Sequence, residues 1–313
     1  MQDERVLVTG GAGFIGSNLA NHLAADNEVV ALDDCYLGTP DNLDGGVEFV
    51  DASVLDDDLP TDVDAVFHLA ALSSYKMHEE DPRRGARVNV EGFVNTVDQA
   101  RQDGCDTIVY ASTSSIYGSR TEPSPETMAV DARTGYEASK LARERYGEYF
   151  HNHYDMQCAG LRFFSVYQGF AGGNEEHKGE YANTVAQFAD AIASGERPVL
   201  FGDGTQTRDF THVEDIVRGI ELAADHSLQG IYNLGTGENY SFNEMVEMIN
   251  AELGTDVDPE YVENPLEVYV HDTMADASKI QEATGWEPRI DFEEGVRRVC
   301  AGYDAAGAGT AGE

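Results

Sequence analysis

A short apolar run, Val6-Leu7-Val8, leads directly into Thr9-Gly10-Gly11-Ala12-Gly13-Phe14-Ile15-Gly16, where glycines recur every third position as a strand would give way to a helix. Gly10 permits the tight turn, Gly13 lets backbone approach a diphosphate at the helix N-terminus, and Gly16 allows close packing of helix on sheet. The spacing predicts a dinucleotide held on a parallel sheet, with Phe14 and Ile15 opening the helix beside its phosphates. Asp33, seventeen residues after Gly16, ends the next apolar run. A carboxylate there accepts hydrogen bonds from an adenosine ribose and repels a 2′-phosphate. With Asp34 beside it and no nearby arginine or lysine in the sequence, NAD is favoured over NADP.

Further apolar runs follow the same rhythm: Val29-Val30-Ala31-Leu32, Val47-Glu48-Phe49-Val50, Ala65-Val66-Phe67-His68, Thr107-Ile108-Val109-Tyr110 and Cys158-Ala159-Gly160-Leu161. They read as buried parallel strands, with helices near 14–25, 83–102 and 134–153 between them. The expected fold is α/β, a doubly wound parallel sheet of the Rossmann type. After about residue 165 a polar, glycine-rich loop and a helix near 180–194 suggest a second, smaller α/β lobe. The division expected is 1–168 for the dinucleotide domain and 169–304 mainly for a substrate-binding lobe, some elements returning to the first. The alanine- and glycine-rich stretch 305–313 is expected to be disordered.

With 58 acidic against 20 basic residues, the formal charge of -38 makes nucleic acid and anionic membranes improbable partners. Such a surface suits a salt-rich cytoplasm, where screening relieves self-repulsion, and a halophilic source is inferred. Cys35, Cys105, Cys158 and Cys300 are scattered and read as reduced thiols. No signal-peptide pattern or long apolar segment is seen, so a cytoplasmic protein is expected. The histidines lack ligand spacing, and no metal is expected.

Tyr136-Glu137-Ala138-Ser139-Lys140 places a phenol and an ammonium on one face of a helix. A lysine beside a tyrosine favours phenolate, and such a pair can make a base.

These features, together with His68-Leu69-Ala70-Ala71, Asn89, Ser112-Thr113-Ser114-Ser115-Ile116-Tyr117-Gly118 and Arg208-Asp209-Phe210, occur in an order that resembles the extended short-chain dehydrogenase/reductases. Within these the chain is most similar to the nucleotide-sugar epimerases and dehydratases, from about residue 5 to 300. The resemblance implies that Leu69, Ala70 and Ala71 line the cofactor, that Asn89 supports it, that Ser112 lies beside it and that Phe163 is near the nicotinamide. Ser53 stands where an aspartate is usual at the adenine, with Val54 offering backbone. Tyr136 would take a proton from a sugar hydroxyl as hydride leaves the same carbon, Lys140 would lower the tyrosine pKa and hold the ribose, and Thr113 would hold the reacting oxygen. Tyr136 and Lys140 therefore count as both catalytic and cofactor-binding.

Related dehydratases carry an Asp-Glu pair where Ser114 and Ser115 stand, and related decarboxylases a glutamate at the second. Their absence favours epimerisation. The resemblance assigns Arg208 to a nucleotide sugar's diphosphate, and Val199 and Phe201 to its base. Ser165 stands at a usual asparagine, and Gln168 at a usual glycine. A second diphosphate arginine is missing around Leu266 to Tyr269, with Lys178 or Lys76 as candidate replacement. The His177-Lys178-Gly179 run is also similar to nucleotide-linked heptose 6-epimerases, which leaves a catalytic lysine open.

The expected substrate is a nucleoside-diphosphate hexose, with UDP-glucose/UDP-galactose 4-epimerisation as the leading reaction. UDP-glucuronate 4-epimerisation, 6-epimerisation of a heptose, a sugar dehydrogenase and a non-catalytic NAD-binding sensor or scaffold are the alternatives. A homodimer through the helices near 83–102 and 134–153 is expected by the same resemblance.

Overall fold

Every apolar run read above as a strand forms one in the computed structural model, which describes residues 1–266 and 268–309, with side chains through Tyr303. The strands are β1 (Arg5–Thr9), β2 (Glu28–Asp33), β3 (Val47–Asp51), β4 (Ala65–His68), β5 (Thr107–Ala111) and β6 (Gln157–Phe163). Short strands follow at β7 (Val166–Tyr167), β8 (Val199–Phe201), β9 (Thr207–Arg208) and β10 (Thr211–His212) before β11 (Gly230–Leu234) rejoins the main sheet. That sheet is parallel and ordered β11-β6-β5-β4-β1-β2-β3. The order reverses between β4 and β1, and the crevice beyond the strand ends at such a reversal is where this architecture takes ligands.

Alternation along each strand builds two cores. Val6, Val8, Val29, Ala31 and Phe67 face one side, where α1 (Phe14–Leu23) packs. Leu7, Val30, Leu32, Val66 and Tyr110 face the other. That side is covered from a segment that begins with α2 (Tyr75–Glu80) and α3 (Pro82–Ala86), passes through a π turn at Arg87–Glu91, and continues into α4 (Gly92–Asp103). The single helix expected near 83–102 is thus broken by one wide turn, of a kind found at functional sites. α5 (Gly135–Tyr154) packs beside it.

The smaller lobe is built on α6 (Thr184–Ala193) and, later in the chain, α8 (Phe242–Leu253) and α10 (Phe292–Gly309). Their apolar faces enclose Phe188, Phe210, Met245 and Phe292, with Phe210 and Phe292 stacked at 4.6 Å between centroids. Three small pairings complete the lobe: β7 with β10, β9 with β12 (Tyr240–Ser241), and β8 with β13 (Glu260–Val262). Between these pieces the chain re-enters the first domain. α7 (Val213–Asp225), β11, α9 (Ser278–Thr284) and Trp286 contribute to the core around α1, so the elements beyond 168 are shared between the lobes. α10 runs to Gly309, into the stretch expected to be disordered, and residues 310–313 lie outside the described residues. No helix among the described residues is long and apolar enough to cross a membrane.

Candidate active site

The carboxyl ends of β1, β2, β4, β5 and β6 open into one cleft of about 780 Å³ that continues to the smaller lobe. Thr134 caps α5 by accepting from Glu137 N, and Glu137 answers by accepting from Arg133 N at 2.6 Å, which sets the start of the helix. Tyr136 and Lys140 follow on one face, and both line the cleft. Lys140 Nζ donates to Ala111 O at 3.1 Å, at the end of β5, and lies 5.8 Å from the Tyr136 ring centroid. Burial pulls the Lys140 ammonium well below its ordinary pKa, with the Arg143 charge acting in the same direction. Part of the Tyr136 side chain stays open to the cleft, yet burial raises its phenol. A hydrogen bond with Thr113 and the charge of Arg143 work the other way.

Thr113, two residues past β5, is therefore the hydroxyl beside the phenol. Its Oγ1 also lies 3.0 Å from Ser115 Oγ. Ser112 lines the cleft too, but its hydroxyl is committed to the scaffold, donating to Glu144 Oε1 at 2.6 Å. Glu144 in turn takes a two-pronged bond from Arg162, Nε at 2.8 Å and Nη2 at 2.7 Å, with both partners buried. Burial lowers the Arg162 guanidinium, but the Glu144 bond and charge outweigh it and hold it above its ordinary value.

Arg143, which sequence reasoning missed, lies one turn further along α5. It is fully buried, and no carboxylate pairs with it among the described residues. Its Nε donates to Asn89 O at 2.6 Å and its Nη2 to Ala70 O at 2.7 Å, while Nη1 has no partner. Burial brings its pKa down to about 9. The only signal available was its position, i+7 from Tyr136 on the same helical face. Asn89, expected at the cofactor, lies in the π turn behind the cleft wall. It exchanges bonds with the backbone of Leu72 and donates to Ser139 Oγ at 2.9 Å, which ties the β4 loop to α5.

At the other end Gly10 makes the tight turn its position implied, whereas Gly16 lies against that turn and not against the sheet. Gly10 has φ +69°, and a Cβ there would meet Ala70 N at 2.7 Å; a Cβ on Gly16 would meet Gly10 O at 2.0 Å. Gly13 by contrast faces the cleft, where an added Cβ would meet only Gly10 O, at 3.2 Å. Bare backbone, the N-terminus of α1 and an acceptor at Asp33 together fit a dinucleotide. Asp33 accepts from Cys35 N at 2.9 Å and Ala12 N at 3.2 Å, and burial raises its pKa against those bonds. Phe14, Ile15, Asp34, Val54, Leu69, Ala70, Ala71 and Phe163 all line the cleft. Ser53 does not: its hydroxyl accepts from Leu55 N within its own turn. A cation does reach this end, contrary to the sequence reading. Arg84, from α3, stacks 3.7 Å from the Tyr36 ring centroid beside Asp34, a proximity invisible in the linear sequence.

In the smaller lobe, Val199, Phe201, Phe242 and Tyr269 form an apolar wall around Arg208. The guanidinium makes no ion pair with Asp209, which is buried and bonded to the backbone of Thr236, Gly237 and Ala275. Arg208 donates instead to the carbonyls of Thr207, Val270 and His271, and its charge faces the cleft without a counter-ion among the described residues. Ser165 lines the cleft at φ +27°, a strained backbone for a non-glycine residue. Gln168 is outside the cleft lining, bonded to Asn18. Lys178 lines the cleft near Phe14. Lys76 does not; it pairs with Glu180 on the surface. Of the stretch from Leu266 to Tyr269, Glu267 lies outside the described residues.

The model of the NAD dependent epimerase/dehydratase family matches residues 6–235. The UDP-glucose 4-epimerase of Mycolicibacterium smegmatis is 35% identical over 309 residues, covering 94% of this chain and 97% of that protein. The crystal structure of UDP-glucose 4-epimerase from Thermotoga maritima with UDP-glucose superposes with a TM-score of 0.90 at 30% identity, covering 96% of this chain and 99% of that one. The UDP-glucose 4-epimerase of Thermus thermophilus in complex with NAD gives 0.86 at 32% identity, again over 96% and 99% of the two chains.

Proposed function

This chain belongs to the NAD dependent epimerase/dehydratase family, and on that footing we propose that it is a nucleotide-sugar epimerase inverting C4 of a UDP-hexose, with UDP-glucose and UDP-galactose as the pair. One observation carries the choice of reaction. Among the described residues lining the cleft the carboxylates are Asp33 and Asp34, at the end of β2, separated from β5 by β4 and β1. Among the described residues the reacting end therefore has a phenol, hydroxyls and an ammonium but no carboxylate. Elimination of water needs a proton donor at the leaving oxygen; epimerisation needs a base and room for a ketone to turn.

NAD, when bound, supplies reversible oxidation of the carbinol carbon. Thr113 holds the sugar's C4 oxygen, and Tyr136 removes its proton and later returns it to the opposite epimer. Arg143 places positive charge behind the phenol, favouring phenolate where burial opposes it, and Lys140, on the same helical face, holds the cofactor's ribose. Arg208 takes the nucleotide's diphosphate, and the wall of Val199 and Phe201 takes its base. The same proposal includes a salt-adapted cytoplasmic protein, supported by the charge of -38 and the free thiols of Cys35, Cys105 and Cys158. It also includes a homodimer formed on α4 and α5, where Tyr146, Tyr149 and Tyr154 are each about two-fifths exposed beside Val90 and Val94.

Substituting Tyr136→Phe tests the assignment of the base. The variant is expected to retain NAD binding while losing at least about a thousandfold in kcat, in keeping with general-base contributions of roughly 10²–10⁴. Turnover within tenfold of wild type would remove Tyr136 from that role.

A further inference from the structure

Inversion at C4 leaves Lys178 and the loop carrying it without a task, yet that loop is fastened at several points to the first turns of α1 and, through Asn42, to the glycine loop. Gln168 and Asn18 exchange two amide hydrogen bonds, each 3.0 Å, joining the loop after β7 to α1. Gln168 Oε1 also accepts from Asn174 N at 2.9 Å, and Asn174 Nδ2 donates to Ser17 Oγ at 3.0 Å. Asn42 bridges the remaining side: its Nδ2 donates to Ala12 O in the glycine loop at 3.2 Å and lies 3.0 Å from His177 Nδ1. Inside the loop Glu175 is fully buried and accepts from the backbone N–H groups of Gln168, Gly169 and Asn183, which makes the segment a built element.

We propose that Lys178 is a ligand of the diphosphate of the bound dinucleotide, and that Gln168, Asn174 and His177 are positioning residues that hold it over the glycine loop and slow release of the cofactor. The proposal rests on the reading of NAD as cofactor and adds to it. Lys178 Nζ lies 5.7 Å from the ring centroid of Phe14, the first residue of α1, and Lys178, Phe14 and Gly13 line the same cleft, into which the N-terminus of α1 opens. Among the described residues it has no salt-bridge partner, since the Glu175 oxygens are occupied by backbone. Burial lowers its pKa, with Glu175 opposing, and an anion in the cleft would relieve that cost. Arg208, embedded between Phe242 and Tyr269, already supplies a cation at the nucleotide end of the substrate. The two charges therefore divide two diphosphates between them.

Binding measured on protein freed of nucleotide separates the possibilities, with NAD titrated alone and UDP titrated on the NAD-saturated protein. Lys178→Met should weaken NAD roughly tenfold or more, as loss of a charged hydrogen bond does. It should leave UDP affinity within about twofold, and Lys178→Arg should recover part of the NAD loss. Gln168→Gly and Asn174→Ala should accelerate NAD dissociation several-fold in stopped-flow displacement, with Lys178 itself intact. Unchanged NAD affinity in Lys178→Met overturns the assignment, whether UDP affinity is also unchanged or falls and so moves the lysine to the sugar nucleotide. Equal losses for both ligands overturn it as well. Unchanged NAD dissociation in Gln168→Gly and Asn174→Ala overturns the positioning role. Wild-type protein that bound no NAD at all would overturn the cofactor reading along with it, a result distinguishable from normal binding in the variant.

Discussion

At the scale of the residue, the site turns on a balance of charge behind one phenol. Burial raises the Tyr136 pKa, while Thr113 and Arg143 draw it down. A base must shed its proton to act, so activity rises with pH through the tyrosine's apparent pKa, and removing a nearby positive charge moves that limb upward. Arg143→Met should therefore shift the acid limb of kcat toward higher pH by about one unit, whereas Arg143→Lys, which keeps the charge, should shift it less. An unmoved limb with lowered kcat would make Arg143 a purely structural residue. That Tyr136, Lys140 and Asp33 lie in one cleft was legible in the sequence because it follows from local spacing. Arg143 and Arg84 were not, because an arginine satisfied by carbonyls or stacked on a ring carries no charge pattern along the chain. Ser53 and Asn89 show the converse: the motif placed them near the cofactor, but one closes its own turn and the other braces the wall from behind.

At the scale of the element, α5 is held to the sheet by the buried pair of Glu144 with Arg162 on β6, joined by Ser112 at the end of β5 and by Tyr117, whose hydroxyl accepts from Arg162 Nη1 at 2.7 Å. Glu144→Gln leaves a buried guanidinium without its counter-charge, and denaturant unfolding should show a loss of about 3–5 kcal/mol. A loss below about 1 kcal/mol would mean that α5 is anchored elsewhere. Strands β1 to β6 were readable as continuous apolar runs because both faces of the sheet are covered. β11 was missed: Ile231-Tyr232-Asn233-Leu234 carries a polar residue whose amide is satisfied only by partners distant in sequence, donating to the backbone of Ser124 and Asp276 and accepting from the Tyr117 hydroxyl. The π turn was hidden because one extra residue in a helix leaves no compositional mark.

At the scale of the whole molecule, the sheet's rhythm stops near residue 168 and some later elements were expected to return to the first domain, but which ones return, α7, β11 and α9, was not legible, since tertiary re-entry has no local sequence signal. The α4–α5 face gives the oligomer its test. Light scattering in molar salt should show a dimer, and Tyr149→Asp should yield a folded monomer; a wild-type monomer at tens of micromolar would contradict the interface. The central claim, inversion at C4 with bound NAD and Tyr136 as base, is tested most directly by incubating the protein with UDP-galactose deuterated at C4 and following the products by NMR. UDP-glucose should appear with the deuterium retained at C4 and with no net reduced cofactor. Exchange of that deuterium with solvent, net accumulation of NADH, or the absence of UDP-glucose would contradict it.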